Sequence, residues 1–360
     1  MIEKKAIGRL VMLPLAAALM VAACGGGGSS TAPSTAASVA PASVAASVAA
    51  AGDLNIVFIP KAVNNPYFDA AATGAQKAAT ELGGKFKQIG ASDSTAAAQI
   101  PFIQDATTQG YKAIVVSATD ADAIVPALTA AKAAGIKVVG YDSSPAVGAY
   151  DVFVNQTDFS LIGGAMAQWA CDLAPSCTGD IAILSATATA TNQNAWIKDF
   201  NTALKDPKFS KLKLVDTVYG DDKPDVSTTQ AQALLQKYSN LKVIVAPTTV
   251  GILAAAQVVK QAGKTGTVFV TGLGLPNDMK AFVHDGTSPE FGLWSVPDLG
   301  YLAYYVAADL IKGTIKGTVG ETFTVPTLNG GKPYTIGDKN TVILGPPFTF
   351  NKDNVDTFNF

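Results

Sequence analysis

The chain has 360 residues, 15% of them charged and 48% apolar, with a formal net charge of −2. An average soluble domain carries about a quarter charged residues, so this chain can bury a large core and is long enough for two domains. The near-neutral balance gives no basic footprint for nucleic acid. With His284 the one histidine and Cys24, Cys171 and Cys177 the three cysteines, His-rich metal sites, multi-histidine relays and an all-cysteine zinc site are excluded.

Lys4, Lys5 and Arg9 open the chain with positive charge, and Leu10 to Val21 is an uncharged, mostly apolar run. Ala22 and Ala23 are small, and Cys24 follows at once. This is the layout of a secretory signal with a cleavage site. The run falls short of the ~20 apolar residues of a membrane-crossing helix. Its Val-Ala-Ala-Cys ending resembles a bacterial lipobox, which implies lipidation at Cys24 and a mature chain outside the cytoplasmic membrane, held by its acyl chains. A plain secretion signal is the other reading. Residues 25–52 contain Gly, Ser, Thr, Ala, Pro and Val, with no charge and no aromatic. Such a segment cannot offset its ordering entropy and reads as a disordered linker. As a flexible coil it spans on the order of 30 Å. A helix in its Ala-rich part is the alternative.

From Asp53 onward strands and helices alternate. Leu54 to Pro60 is an apolar run ended by proline, hence a buried strand. Phe68 to Leu82 reads as a helix stopped by Gly83-Gly84, and Thr95 to Gln109 as a second stopped by Gly110. Ala113 to Ser117 is a strand, Asp122 to Ala134 a helix with Asp122 as its cap, and Ile136 to Gly140 a strand. Tyr150 to Thr157 reads as a break. The rhythm then restarts with a helix at Leu161 to Leu173, a strand at Asp180 to Leu184 and a helix at Asn192 to Leu204. Next come a strand at Leu212 to Tyr219, a helix at Ser227 to Tyr238 and a strand at Val243 to Ala246. A helix at Gly251 to Gln261 and a strand at Val268 to Val270 follow. Another strand ends at Trp294-Ser295, Tyr301 to Lys312 is one more helix, and short β segments run to Phe360. Gly272-Leu-Gly274 is a turn, since no helix-opening third glycine follows to make a dinucleotide fingerprint. The pattern predicts an α/β fold of two lobes, each a parallel sheet flanked by helices. Open parallel sheets place ligands at the carboxyl ends of their strands, so the boundary between the lobes is the expected site.

The residues at those strand ends are Lys61, Asn65, Tyr67 and Phe68 after the first, and Ser117 to Asp122 after the third. Asp142 follows the fourth. In the second half they are Asn192 and Gln193, then Pro247 and Thr249, then Trp294. Amides, hydroxyls and carboxylates take pairs of sugar hydroxyls, and aromatic faces cover the C–H side of a ring. A wrong ligand leaves buried polar groups unpaired, which gives specificity. Taken singly, each residue has a plain structural role: Lys61 in a surface loop, Asp142 capping a turn with Ser143 and Ser144, Asn192 as a helix N-cap. Tyr67, Phe68 and Trp294 could pack a core, and Pro247 could stop a strand.

Eight segments carry a resemblance: Phe58 to Lys61, Asn65 to Phe68, Ala113 to Ala118, Val154 to Gln156, Thr191 to Trp196, Ala254 to Gln257, Glu290 to Trp294 and Phe350 to Asn354. In this order they resemble type I periplasmic sugar-binding proteins of ABC transporters, and within them the branch holding rhamnose-binding proteins and the autoinducer-2 receptor of the Lsr system. The resemblance implies a receptor that closes on its ligand and hands it to a membrane permease with its ATPase, as a monomer, with no cofactor and no metal. It implies an autoinducer-2 site in which Lys61, Asp142, Gln193 and Pro247 match, while Asn192 stands for an Asp and Thr249 for an Ala. The two departures favour a rhamnose-like or other small neutral sugar, with autoinducer-2 as the alternative. It also implies a hinge of three crossings, near Val154 to Thr157, Trp294 to Pro297 and Val325 to Leu328. The first lobe would then hold 53–155 and about 296–325, the second 156–295 and about 326–360.

Cys171 and Cys177 read as a short-range disulfide outside the cytoplasm, tying a helix end to the next strand, with two buried free thiols as the alternative. An enzyme is disfavoured by the lone histidine and the lack of a phosphate loop. A repressor would need a DNA-binding helix pair ahead of Leu54, where signal and linker stand. A sugar sensor for a chemoreceptor or kinase would use the same cleft and differ only in partner.

Overall fold

The structure, a computed structural model, describes residues 53–360, all within one compact unit. The expected signal peptide at 1–24, the lipidated Cys24 and the linker at 25–52 lie outside the described residues. The first βα run is β1 (Asn55–Ile59), α1 (Pro66–Glu81), β2 (Lys85–Gln88), α2 (Ala96–Thr108), β3 (Ala113–Val116), α3 (Val125–Ala133), β4 (Lys137–Tyr141) and β5 (Val152–Asn155). The second is α4 (Phe159–Leu173), β6 (Gly179–Ser185), α5 (Thr191–Ala203), β7 (Leu212–Tyr219), α6 (Pro224–Lys237), β8 (Leu241–Ala246), α7 (Thr249–Gln261), β9 (Phe269–Gly272), α8 (Pro276–His284) and β10 (Phe291–Leu293). The tail adds α9 (Val296–Lys312), β11 (Thr322–Phe323), β12 (Tyr334–Thr335), β13 (Thr341–Ile343) and β14 (Phe348–Phe350).

Two sheets form the two lobes. The first has the order β13-β5-β4-β3-β1-β2 and the second β7-β6-β8-β9. Every pairing in both is parallel. Parallel strands covered on both faces read as continuous β-branched runs. In β1 this places Ile56 and Phe58 with the α1 and α9 side chains, and Val57 and Ile59 with those of α2 and α3. Helix α9 lies in the first lobe against α1, and two glycines permit that approach. A Cβ on Gly74 would sit 1.7 Å from the Pro297 carbonyl oxygen, and one on Gly300 would sit 1.9 Å from that of Ala71. No helix among the described residues is long and apolar enough to cross a membrane.

The structure departs from the sequence reading in five places. Lys85–Gln88 is an edge strand whose residues are exposed or half-buried in alternation, too short and polar to show an apolar run. The expected break at 150–157 contains β5, fully buried and paired with β4 and β13. Helix α8 was not expected, because its opening Pro276-Asn-Asp278 reads as a continuation of the preceding turn; Met279, Phe282 and Val283 form its buried face. Helix α3 begins at Val125, not at Asp122. The Asp120 carboxylate accepts the backbone N–H groups of Asp122 and Ala123 at 3.0 and 2.9 Å, so Asp120 caps this turn.

The fifth correction concerns the hinge. The chain leaves the first sheet after β5 and returns to that lobe with α9 after β10. The third crossing does not fall at Val325 to Leu328. Residues 341–343 form β13, which pairs with β5 in the first sheet, whereas β14 pairs with β10 beside the second. The crossing therefore runs between Ile343 and Phe348, and residues 326–343 belong with the first lobe. Val342, fully buried against β5, anchors that edge strand. Cys171 and Cys177 are joined in a disulfide between the end of α4 and the start of β6.

Candidate functional site

At the carboxyl ends of the strands, the two lobes face one another across a cavity of about 350 Å³, its open mouth included. The first lobe contributes Lys61, Asn65, Tyr67, Phe68 and Asp142. The second contributes Asn192, Gln193, Trp196, Asp222, Pro247, Thr248, Thr249, Leu273 and Leu293, and Trp294 lies at the second crossing. Ten of the eleven ligand-site residues expected from sequence are thus brought together. The eleventh, Asp122, is exposed on the approach to α3 and does not line the cavity.

Asp142 organises the polar lining. It follows β4 with φ 59°, a left-handed turn that Asp tolerates better than most residues. One carboxylate oxygen accepts from the Ser117 hydroxyl at 2.6 Å and pairs with the Lys61 ammonium at 3.2 Å. The other accepts from the Tyr67 hydroxyl and the Asn192 amide, both at 3.2 Å. Lys61 and Asp142 are only 7% and 3% exposed. At that depth an ion pair holds only if its remaining sites are hydrogen-bonded, and these partners supply that. Burial, together with the Asp142 charge, pushes the Tyr67 phenol well above its ordinary pKa, so it stays a hydroxyl.

Asn192 is not a helix cap. The cap position of α5 is Ala190, and Asn192 reaches across the cleft instead. Its carbonyl oxygen accepts from Lys61 at 3.0 Å and from the Gln193 backbone N–H at 2.9 Å. Gln193 accepts from the Ser185 hydroxyl and the Ala186 N–H at 2.7 and 2.9 Å, which fixes the loop after β6. Asn65 has two roles. Its carbonyl oxygen caps α1 by accepting the Tyr67 N–H at 3.0 Å, and its amide donates across the cleft to Asp222 at 3.3 Å.

Aromatic and aliphatic side chains supply the apolar part of the lining. Trp294 donates its indole N–H to the Tyr67 hydroxyl at 3.0 Å, and its ring lies 5.8 Å from that of Trp196. Phe68 stands edge-on to Tyr67 with ring centres 5.1 Å apart. Leu273 and Leu293 complete this part. Phe68 and Trp294 are therefore core and lining at once.

Asp222 was missed from sequence. It follows β7 in Gly220-Asp-Asp-Lys-Pro224, which reads as an ordinary turn. Asp221 and Asp222 have φ 53° and 54°, and the Lys223 N–H closes the turn on the Gly220 carbonyl at 2.9 Å. This turns the half-buried Asp222 carboxylate into the cavity, where the Thr248 hydroxyl and Asn65 amide donate to it. Burial raises its pKa, opposed by the Thr248 hydrogen bond and the Lys61 charge. Trp196, Thr248, Leu273 and Leu293 were likewise not singled out. The expectation that ligands meet the carboxyl ends of strands, applied to β7 and β9 as well, marks Asp222 and Leu273.

The lining therefore holds one cation and two carboxylates among amides and hydroxyls. No group of three His, Cys, Asp or Glu residues suited to a metal ion occurs among the described residues, and His284 pairs with Asp356 on the surface. Fold and site together define a two-lobed α/β receptor with a small-molecule cavity between its lobes.

Residues 56–315 match the family described as periplasmic binding protein domain, and the chain belongs to that family. An ABC transporter solute-binding protein from Clostridium phytofermentas with bound L-rhamnose is 40% identical, over 85% of this chain and 98% of that one, with a TM-score of 0.82. LsrB from Clostridium saccharobutylicum in complex with AI-2 is 26% identical, over 85% of this chain and 99% of that one, with a TM-score of 0.79. The ribose import binding protein RbsB of Salmonella typhimurium is 26% identical over 262 residues, 72% of this chain and 85% of that protein. These relatives are solute-binding proteins, and the resemblance to sugar-binding proteins of ABC transporters holds along the folded body.

Proposed function

We propose that this chain is an extracytoplasmic solute-binding lipoprotein that captures a small neutral, rhamnose-like sugar and delivers it to an ABC permease and its ATPase. The observation that carries the reading is the mixed lining of the cavity. Lys61, Asp142, Asn192 and Asp222 supply charged and amide groups to it; Phe68, Trp196, Trp294, Leu273 and Leu293 supply aromatic and aliphatic surface. Two acceptor-only carboxylates call for a ligand rich in hydroxyl donors, and an anionic ligand would meet repulsion from both. The aromatic and aliphatic lining suits the C–H face of a pyranose and the methyl group of a 6-deoxy sugar. The L-rhamnose-bound relative at 40% identity supports this choice.

Autoinducer-2 is the second reading. Lys61, Asp142, Gln193 and Pro247 all line the cavity, and the AI-2-bound relative shares the fold. Against it stand Asn192 in place of a carboxylate and Thr249 in place of a smaller residue. Anchoring through Cys24, a monomeric state and a transport rather than sensory partner are parts of the same proposal and rest on the sequence.

The test is a thermal-shift and calorimetric screen against rhamnose, other pentoses and hexoses, polyols, and autoinducer-2 without borate. A ligand at a hundredfold its dissociation constant stabilises by about 2.7 kcal/mol. A shift with one neutral sugar supports the reading, and a shift with autoinducer-2 alone replaces it with the second. Catalytic turnover of a sugar would overturn both. Cys24→Ser is expected to release the protein from membranes, and continued retention would overturn the anchor.

A further inference from the structure

A second cavity, about 450 Å³ including its open mouth, lies at the rim of the cleft. Both lobes build it. Pro66 comes from the first turn of α1 and Pro224 from that of α6, while Val250, Leu253 and Ala254 lie along one stripe of α7. Thr249 lines both this outer cavity and the inner one. Its neighbours in the wall are the pairs that bridge or brace the cleft, Asn65 with Asp222 and Thr248 with Asp222.

The backbone at Thr249 has little room to shift. Thr248 is tied to Asp222 by its hydroxyl. Two residues on, a Cβ added to Gly251 would come within 2.7 Å of the Thr248 methyl and 3.2 Å of the Leu184 carbonyl oxygen, so the first turn of α7 is seated hard against β6. With the backbone held, the size of the side chain at 249 sets the thickness of the partition. We propose that Thr249 is a size-limiting residue: it closes the inner cavity against the outer one, whose lining is aliphatic apart from Thr249, Gln257 and Asp278, and restricts the ligand to an unsubstituted monosaccharide. With a smaller residue there, the two cavities would join and the site would accept a sugar O-alkylated at the hydroxyl that faces this wall.

This inference rests on the sugar-binding reading, and the experiment separates the two. Calorimetry would measure the purified protein and Thr249→Ala with the best neutral sugar of the screen and with its mono-O-methyl derivatives, one for each hydroxyl including the anomeric one. The wild type is expected to bind the parent sugar and to reject each derivative by about tenfold or more, the scale on which a site rejects one extra methylene. For Thr249→Ala the ratio of derivative to parent-sugar affinity should rise by about tenfold for one derivative, whatever change the substitution makes to binding of the parent sugar itself. Adding Leu253→Trp to Thr249→Ala, to fill the outer cavity, should abolish that gain while sparing the parent sugar. The inference is overturned if no derivative is regained, if all improve alike, or if the wild type already accepts them all. If the wild type binds no neutral sugar, the sugar reading itself fails and takes this inference with it.

Discussion

Two aspartates face the same cavity from opposite lobes. Each follows a strand, and each sits in a left-handed turn, with φ 59° at Asp142 and 54° at Asp222. Their surroundings differ. Asp142 is 3% exposed and held by Ser117, Lys61, Tyr67 and Asn192. Asp222 is half-buried, has only two neutral donors, and feels Lys61 without being bound to it. One carboxylate is part of a compensated, preorganised frame. The other remains under-compensated, and burial raises its pKa. The contrast teaches that a buried charge with a cation serves both fold and site, whereas one without a cation serves the site at the expense of the fold.

The sharpest way to break this contrast is Asp142→Ala. It strands the Lys61 ammonium in a buried position, and removing one partner of such a pair costs ~3–5 kcal/mol. Sugar affinity should fall by two orders of magnitude or more, on the scale of ~2–5 kcal/mol lost with a buried hydrogen-bonded charge. Calorimetry and a melting curve check both. Unchanged affinity would place the ligand elsewhere.

Asp222→Asn is the next largest effect and differs in kind. Affinity should drop by about tenfold, roughly one lost charge-assisted hydrogen bond, while the melting temperature of the free protein holds or rises. A large loss of stability would mean that Asp222 is a structural residue like Asp142.

The pH dependence sharpens the same point. The Asp222 carboxyl titrates above its ordinary value of 3.8 in the folded protein, so the folded state holds this proton more tightly than the unfolded chain. Its contribution to stability is fully present below the ordinary value and is lost as pH rises through the raised one. Asp222→Asn removes that loss. Its stability relative to wild type should therefore grow as pH rises through the window above 3.8, with no growth below it. Chemical denaturation at a series of pH values checks the sign.

The smallest effect lies beside Asp222, on the rim. Lys223 reaches Asp93 of the first lobe at 2.6 Å, with side chains 45% and 55% exposed. Exposed pairs contribute little and are screened by salt. Lys223→Ala should weaken binding by less than about fivefold, with the difference vanishing at high salt. A larger, salt-independent loss would show that this pair helps to close the lobes.

Much of this molecule was legible in its sequence. The alternation of buried apolar runs and capped helices determined the α/β class, because parallel strands covered on both faces must be apolar throughout. Lys61, Asn65, Asp142, Asn192, Gln193 and Pro247 could be picked out by their place after such strands. Tertiary structure alone decided three things. Only cross-strand pairing shows that Thr341–Ile343 edges the first sheet, since three residues carry too little pattern to choose a partner. Only the turn at Asp221 and Asp222 aims a carboxylate into the cleft, since a Gly-Asp turn reads the same wherever its side chain points. And only the assembled lobes show that Asn192, picked out as a site residue, bridges Lys61 and Asp142 and does not cap its helix, because its partners lie 131 and 50 residues away and no local spacing records them.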